Sequence, residues 1–125
     1  MPSPSEGLVP HTELLVCVFL RSGQTAHGRP AHLEIITRAQ AAGISGATVL
    51  HGFAGFGAAG APARPGLFGD SGFEPVLVEI ADAAERVTAF LPELTTLAGH
   101  ALIVSRSVTV MRRPAPLRAA GSRTA

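Results

Sequence analysis

A glycine motif follows one predicted strand, with a spacing that binds phosphate in dinucleotide enzymes. Gly55, Gly57 and Gly60 fit the pattern GxGxxG, in which backbone N–H groups approach a pyrophosphate at the start of a helix. Pro62 and Pro65 follow closely, so no helix begins there, and we exclude a nucleotide-dependent dehydrogenase. Gly55 and Gly57 remain candidate anion contacts, because glycines at a loop base expose backbone N–H groups. A loop that is simply flexible explains them equally well.

Two arginines are candidate ligand contacts. Arg106 interrupts the apolar face of the last predicted strand, where a charge needs a partner or a ligand. An ion pair with Glu13 or Glu79, within the chain or across a subunit boundary, meets that need, and so does a bound anion. Arg112 stands at the end of the same strand, where it either reaches a phosphate or begins a solvated tail.

The five histidines raise the question of a metal site, because neutral imidazole is a common ligand for zinc and copper. They occupy positions 11, 27, 32, 51 and 100. No two of them lie one helical turn apart on one predicted helix, so a metal site would have to be assembled between subunits. No spacing marks a nucleophile with its base and orienting group either. We therefore predict no catalytic residues and a protein that is not an enzyme.

The elements that must position these residues alternate along the chain. Apolar runs predict strands at 14–20, 47–53, 76–80 and 101–111, a helix at about 30–42, and a second helix capped by Asp82 with Glu85 and ended by Gly99. Pro92 should bend or split that second helix. This order predicts a ferredoxin-like βαββαβ sandwich, an α+β fold with a four-stranded antiparallel sheet and two helices on one face. We expect an N-terminal extension at 1–12, one domain at 13–111 with a long loop at 54–74, and a flexible tail at 112–125.

Composition restricts the class of protein. The chain has 125 residues, 46% hydrophobic and 15% charged, which is typical of one globular domain. Its formal net charge of +1 argues against nucleic-acid binding through bulk charge. The longest apolar run is shorter than the roughly 20 residues that cross a bilayer, so we expect no membrane insertion. The single cysteine, Cys17, cannot form a disulfide within the chain, and a reducing, cytoplasmic location is expected.

The first predicted strand is apolar on both of its faces. Leu14, Val16, Val18 and Leu20 alternate with Leu15, Cys17 and Phe19. Two helices cover only one side of the sheet, and leaving large apolar side chains exposed forgoes about 1.5–3 kcal/mol each. We therefore predict a homo-oligomer that packs through the open sheet faces.

Two long segments carry a family resemblance. GRPAHLEIITRAQAAGISGATVLHGFAGFG and EPVLVEIADAAERVTAFLPELTTLAGHALIVSRSVTV resemble the PII-like family known as domain-of-unknown-function 190. The resemblance covers about residues 13–111. Its most specific parts are AAGISGATVLHGFAGFG and the FLPEL segment around Pro92.

The resemblance implies a signalling protein. Proteins similar to PII are homotrimers of ferredoxin-like subunits, with sites for small anionic metabolites, typically adenine nucleotides, in the clefts between subunits. The loop at 54–74 corresponds to the flexible loop that such proteins present to a partner protein. Gly99 and His100 occupy the turn that contacts nucleotide phosphates in PII-like proteins, although a helix-ending glycine and a solvated histidine explain them as well. No cofactor other than such a nucleotide ligand is expected.

The same superfamily offers an alternative. A trimer resembling the CutA copper-tolerance proteins would bind a metal through histidines, with His51 and His100 as the residues to replace in a test.

Overall fold

The alternating and helical patterns of the sequence form two layers in the computed structural model, which describes residues 7–55 and 74–112. In chain order the elements are β1 (Val9–Arg21), β2 (Thr25–Ala26), β3 (Arg29–Pro30), α1 (Ala31–Ala41), β4 (Gly46–His51), β5 (Pro75–Asp82), α2 (Ala84–Ala98) and β6 (Leu102–Arg112). The four long strands pair antiparallel in the order β4–β5–β1–β6. This confirms the ferredoxin-like fold. No helix within the described ranges is long and apolar enough to span a bilayer.

The covered face of the sheet carries the core. Val16, Val18 and Leu20 of β1 are at most 1% exposed and belong to one cluster with Val76, Val78 and Ile80 of β5. Helix α1 packs on β4 and β5, and α2 packs on β1 and β5. The helices contribute Ile35, Val87, Phe90 and Leu94 to the same cluster. Burial of each such side chain contributes about 1.5–3 kcal/mol, so this layer of contacts accounts for the position of both helices.

The other side of the sheet is also apolar. Directly opposed residues of paired strands share a face, so the register places the alternate residues of β1 beside Leu77 of β5 and Leu102 of β6. Leu102 is 51% exposed and Leu50 46%. We call this surface the open face, defined by Leu15, Cys17, Phe19, Leu50, Leu77, Leu102 and Val104. The two-sided apolar character predicted for the first strand is confirmed.

Strand β1 is longer than its apolar run indicates. It begins at Val9, within the segment expected to be an extension, because its pairing with β6 continues to the Val9–Arg112 pair. Residues 9–13 are polar or exposed for the most part, which is why hydrophobic periodicity does not detect them.

The start of α2 differs from the predicted capping box. The helix begins after Ala83 with no side-chain cap. Asp82 instead ends β5, where its carboxylate accepts hydrogen bonds from the backbone N–H groups of Ala83 (2.7 Å) and Ser45 (2.9 Å). The aspartate therefore fixes the turn that precedes β4. Helix α2 is continuous through Pro92, so Pro92 does not split it, and the bend that was expected as the alternative stays a prediction.

A short hairpin precedes α1. Its two turn residues, His27 (φ 54°) and Gly28 (φ 73°), both have positive φ, as a two-residue type I′ turn requires. The hairpin returns the chain to the helix start, where the Ala31 N–H donates to the Gln24 carbonyl at 2.8 Å. Two-residue strands leave no periodic signal, and sequence analysis did not predict them.

Candidate functional site

One end of the sheet gathers most of the candidate residues. Because the strands are antiparallel, β1 and β4 end where β5 and β6 begin, and the N-terminus of α1 and the C-terminus of α2 lie there too. We call this the loop end. Gly55, Gly99 and His100 lie at it, while Gly57 falls outside the described residues.

Backbone hydrogen bonds close the base of the long loop. The Gly52 N–H donates to the Pro75 carbonyl at 2.7 Å, and Ser22 exchanges hydrogen bonds with the Glu74 backbone at 3.0 and 3.2 Å. A Cβ at Gly52 would lie 3.0 Å from the Pro75 ring, so this close approach requires glycine. Across the same base, His51 Nδ1 hydrogen-bonds to Glu74 Oε1. The two described segments that flank residues 56–73 are therefore held together at one fixed point.

A buried histidine adjoins this base. His32, in the first turn of α1, is 9% exposed, and its Nδ1 has no hydrogen-bond partner among the described residues. Burial lowers the pKa of His32, the nearby His51 lowers it further, and Glu74 opposes both. The ring is therefore neutral at physiological pH. One nitrogen of a neutral imidazole at the loop base is thus available for a hydrogen bond.

The turn between α2 and β6 is built around Gly99. Its φ of 63° and ψ of −123° form a combination that is essentially restricted to glycine. The Gln24 side chain donates from Nε2 to the Ala98 carbonyl at 2.7 Å and holds the turn from the outside. His100 follows, exposed. The predicted helix-ending role of Gly99 is confirmed.

These two parts of the loop end lie at opposite edges of the sheet. The loop base belongs to β4 and β5, whereas the Gly99–His100 turn leads into β6, on the far side of β1. With strands about 4.8 Å apart, the β4 and β6 edges are separated by about 14 Å. A single chain does not bring Gly55 and His100 into one pocket.

Arg112 lies elsewhere. It stands beside Val9 at the end of the sheet opposite the loop end. Its guanidinium donates two hydrogen bonds to the Glu13 carboxylate, from Nη2 at 3.1 Å and from Nε at 3.2 Å. These bonds raise the pKa of Arg112. The structure thus gives Arg112 an intrachain partner and does not place it with Gly99 and His100.

Arg106 lies on the same side of the sheet as the open face. Its register partner is Leu15, and within residues 7–55 and 74–112 it has no ion pair. Its influence reaches Cys17, whose pKa is raised by burial and by Glu79 and lowered by Arg106. The Cys17 thiol donates to Glu79 Oε2 across 3.9 Å.

A charge cluster holds the β2–β3 hairpin against α1. Glu34 is 5% exposed, and its carboxylate contacts His27 Nδ1 at 3.2 Å, Arg38 Nε at 3.4 Å and Arg29 Nε at 3.7 Å. The hydrogen bond with His27 lowers the pKa of Glu34, desolvation opposes this, and Arg38 and Arg29 add to the lowering. Arg38 extends the cluster to Glu93 of α2.

Residue spacing in the sequence did not reveal that His32 lies beside His51, because the two residues come from different elements.

The part of the chain that the structure describes contains no group of three histidine, cysteine or acidic side chains arranged to hold a metal ion.

The chain can now be placed among known proteins. The pattern of the DUF190 family, described as "Uncharacterized ACR", matches residues 13–110. The chain belongs to this family. Two DUF190 relatives are UPF0166 proteins. The one from Aquifex aeolicus is 32% identical over 80 residues, covering 64% of this chain and 76% of that protein. The one from Methanocaldococcus jannaschii is 35% identical over 77 residues, covering 62% and 70%.

A solved structure shares the fold of this DUF190 chain. It is CPII from Thiomonas intermedia K12, bound to ADP, AMP and acetate. The TM-score is 0.51 at 20% identity, and the match covers 84% of this chain and 92% of the other. Membership of the DUF190 family, expected from the two sequence segments, is confirmed, and the fold is the one seen in CPII.

Proposed function

We propose that this protein is a PII-like regulatory protein that forms a homotrimer through its open faces and binds an adenine nucleotide, or a similar anionic metabolite, in the clefts between copies. The observation that carries the proposal is the division of the loop end. The loop base and the Gly99–His100 turn lie at the same end of the sheet but at opposite edges.

Assembly supplies what one chain lacks. When three sheets face a common axis, the β6 edge of each meets the β4 edge of the next. The Gly99–His100 turn of one copy then adjoins the loop base of its neighbour. The same arrangement buries Leu50, Leu102 and Val104, which are 42–51% exposed in the single chain, and it recovers the hydrophobic free energy of that surface.

The chemistry of the loop end suits an anionic ligand. Neither Gly55 nor Gly99 carries a side chain, so a ligand can approach the backbone closely at both positions. The His100 imidazole is exposed and donates a hydrogen bond to a phosphate oxygen. The neutral, buried His32 provides a further polar atom. CPII, which shares this fold, was solved with ADP, AMP and acetate, and this supports the nucleotide class.

Binding calorimetry tests the proposal. Titration with ATP, ADP, AMP and cyclic nucleotides should give heat with at least one of them at submillimolar concentration. His100→Ala should weaken that affinity about tenfold, the loss of roughly 1.4 kcal/mol expected for one hydrogen bond to a charged group. His11→Ala is the matched control, since His11 is an exposed histidine near the opposite end of β1. Absence of heat with every nucleotide would contradict the proposed ligand.

Ligand binding is expected to act through the loop at 54–74, which we propose engages a partner protein. Hydrogen exchange of peptides from this segment, compared with and without the nucleotide that binds, measures the coupling. Slower exchange in the bound protein supports it, and identical exchange contradicts it. We propose that the protein is not an enzyme and acts in the cytoplasm.

A further inference from the structure

Two opposite charges lie on the open side of the sheet, and neither has a salt-bridge partner within residues 7–55 and 74–112. Glu79 of β5 and Arg106 of β6 share this side with the apolar residues of the open face. Among the described residues neither forms an ion pair, and Glu79 accepts a hydrogen bond from the Cys17 thiol at 3.9 Å. The surface is therefore mainly apolar, and Arg106 and Glu79 lie on it at defined positions.

The residues that the structure describes do not neutralise these two charges. Glu13, the other carboxylate on this side of the sheet, is held by Arg112 through two hydrogen bonds. Strand β1 runs between Glu79 and Arg106, and the register offsets them by two residues along the strands. Strand spacing and rise place their Cα atoms about 12 Å apart. Both charges affect the pKa of Cys17, in opposite directions, but the two side chains do not form an ion pair with each other.

A partner that covers the open face must also compensate the charges of Arg106 and Glu79. An entirely apolar partner would bury Arg106 and Glu79 without compensation, which is strongly unfavourable. A second copy of the chain meets the requirement, because it brings the same apolar surface together with one carboxylate and one guanidinium. Charge complementarity thus selects a copy of this chain as the occupant of the open face.

We propose that Arg106 of one copy forms an ion pair with Glu79 of a neighbouring copy and that this pair sets the register of the assembled sheets. The inference rests on the assembly in the proposed function and adds the residues that specify it. Desolvated arginine–carboxylate pairs are directional because the guanidinium presents a fixed fork of donors. The apolar side chains supply affinity. The ion pair disfavours arrangements in which the two sheets are shifted, because like charges would then face each other or charges would be buried unpaired.

Charge exchange tests this pair. Light scattering over a concentration series should show that Arg106→Glu and Glu79→Arg each raise the concentration needed for assembly at least tenfold, and that the double variant returns it to within about threefold of the original. Arg86→Glu is the matched control, because Arg86 lies on α2, away from the open face, and its side chain donates to the Gly43 carbonyl. Circular dichroism establishes that each variant is folded.

Cysteine cross-linking gives a second measurement that does not depend on the single reversals folding. A chain with Glu79→Cys, Arg106→Cys and Cys17→Ser should form disulfide-linked dimers and trimers on mild oxidation. The two sites within one chain are too far apart for a disulfide, which needs Cα atoms within about 7 Å. Replacing Arg86 instead of Arg106 should give no cross-link above background.

Each outcome separates the two proposals. A parent protein with the mass of a single chain shows that something other than a second copy covers the open face, and it overturns the ion pair. An assembled parent that is indifferent to both reversals and forms no cross-link also overturns it, while the assembly stands. Restored assembly in the double variant together with no nucleotide heat supports the ion pair and rejects the proposed ligand.

Discussion

The imidazole rings of His32 and His51 meet edge to face, with centroids 5.8 Å apart and planes inclined at 83°. This contact joins the first turn of α1 to the last residue of β4, the point where the chain departs into the long loop. His51 is also bonded to Glu74 on the returning strand. The start of α1, the end of β4 and the residue before β5 therefore meet at the loop base. A displacement of any one of them changes its contacts with the others.

The depressed pKa of His32 predicts a pH dependence of stability. Its ordinary value is 6.5, and burial lowers it in the folded state, so the unfolded chain binds the proton more tightly. The contribution is complete above pH 6.5 and declines as the pH falls from 6.5 through the folded-state pKa. Urea unfolding at several pH values should show that His32→Gln flattens this decline. An equal decline in the variant would assign the effect to other groups, and His11→Gln is the control.

Replacement of His51 should loosen the loop base without unfolding the protein. Its side chain is 54% exposed, and exposed ion pairs contribute about 0–1 kcal/mol, so His51→Ala should lower the free energy of unfolding by no more than that. The Gly52 amide, which bonds to Pro75, should nevertheless exchange faster with solvent. Unchanged exchange at Gly52 would show that the backbone bonds hold the base alone.

Gly99 should resist substitution. Its positive φ and extended ψ are costly for any residue with a Cβ, so Gly99→Ala should destabilise the protein by about 1–3 kcal/mol. Gly46→Ala is the matched control, since Gly46 has ordinary φ and its Cβ would meet only the Ala81 carbonyl at 3.9 Å. Thermal unfolding compares the two. Equal melting temperatures would mean that the turn relaxes to accept the methyl group.

Neutralising Glu34 should detach the β2–β3 hairpin. At pH 7, Glu34→Gln removes the charge that His27, Arg29 and Arg38 surround, so stability should fall and amides of 25–30 should exchange faster. The pKa of Glu34 is lowered below its ordinary 4.5, so its contribution is present above pH 4.5 and is lost as the pH falls through the folded-state value. The difference between parent and variant should therefore vanish in acid.

The matched control for Glu34 is Glu85→Gln, which changes an exposed carboxylate in the first turn of α2. It should leave hairpin exchange unaltered. A similar loss in both variants would indicate a general effect of net charge and would contradict the role given to Glu34.

Strands and helices could be predicted from the sequence because burial imposes a period on them. The alternation in β1 revealed both faces of the sheet before any pairing was known, and Gly99 correctly marked the end of α2. The prediction that Asp82 caps α2 was wrong. An aspartate before a helix can equally accept hydrogen bonds from the next residue and from a residue distant in sequence. Here it accepts from the N–H groups of Ala83 and Ser45. That choice depends on where the turn before β4 comes to lie.

The loop-base cluster could not be predicted for a related reason. His32, His51 and Glu74 are separated by long stretches of chain, and they meet only because α1 crosses over the β4–β5 pair. The pairing of Arg112 with Glu13 could not be predicted for the same reason, since it depends on the register of β1 and β6. Local patterns identify residues that bury surface, whereas polar contacts between elements depend on register and crossing geometry.

The pairing of Val9 with Arg112 has a practical consequence. The first residue of β1 and the last residue of β6 lie side by side, at the end of the sheet opposite His51 and His100. A fluorescent reporter or an affinity handle attached through either of these ends would therefore stand clear of the region where ligand and partner are expected, and energy transfer from there to a dye at His100 would measure the length of the molecule.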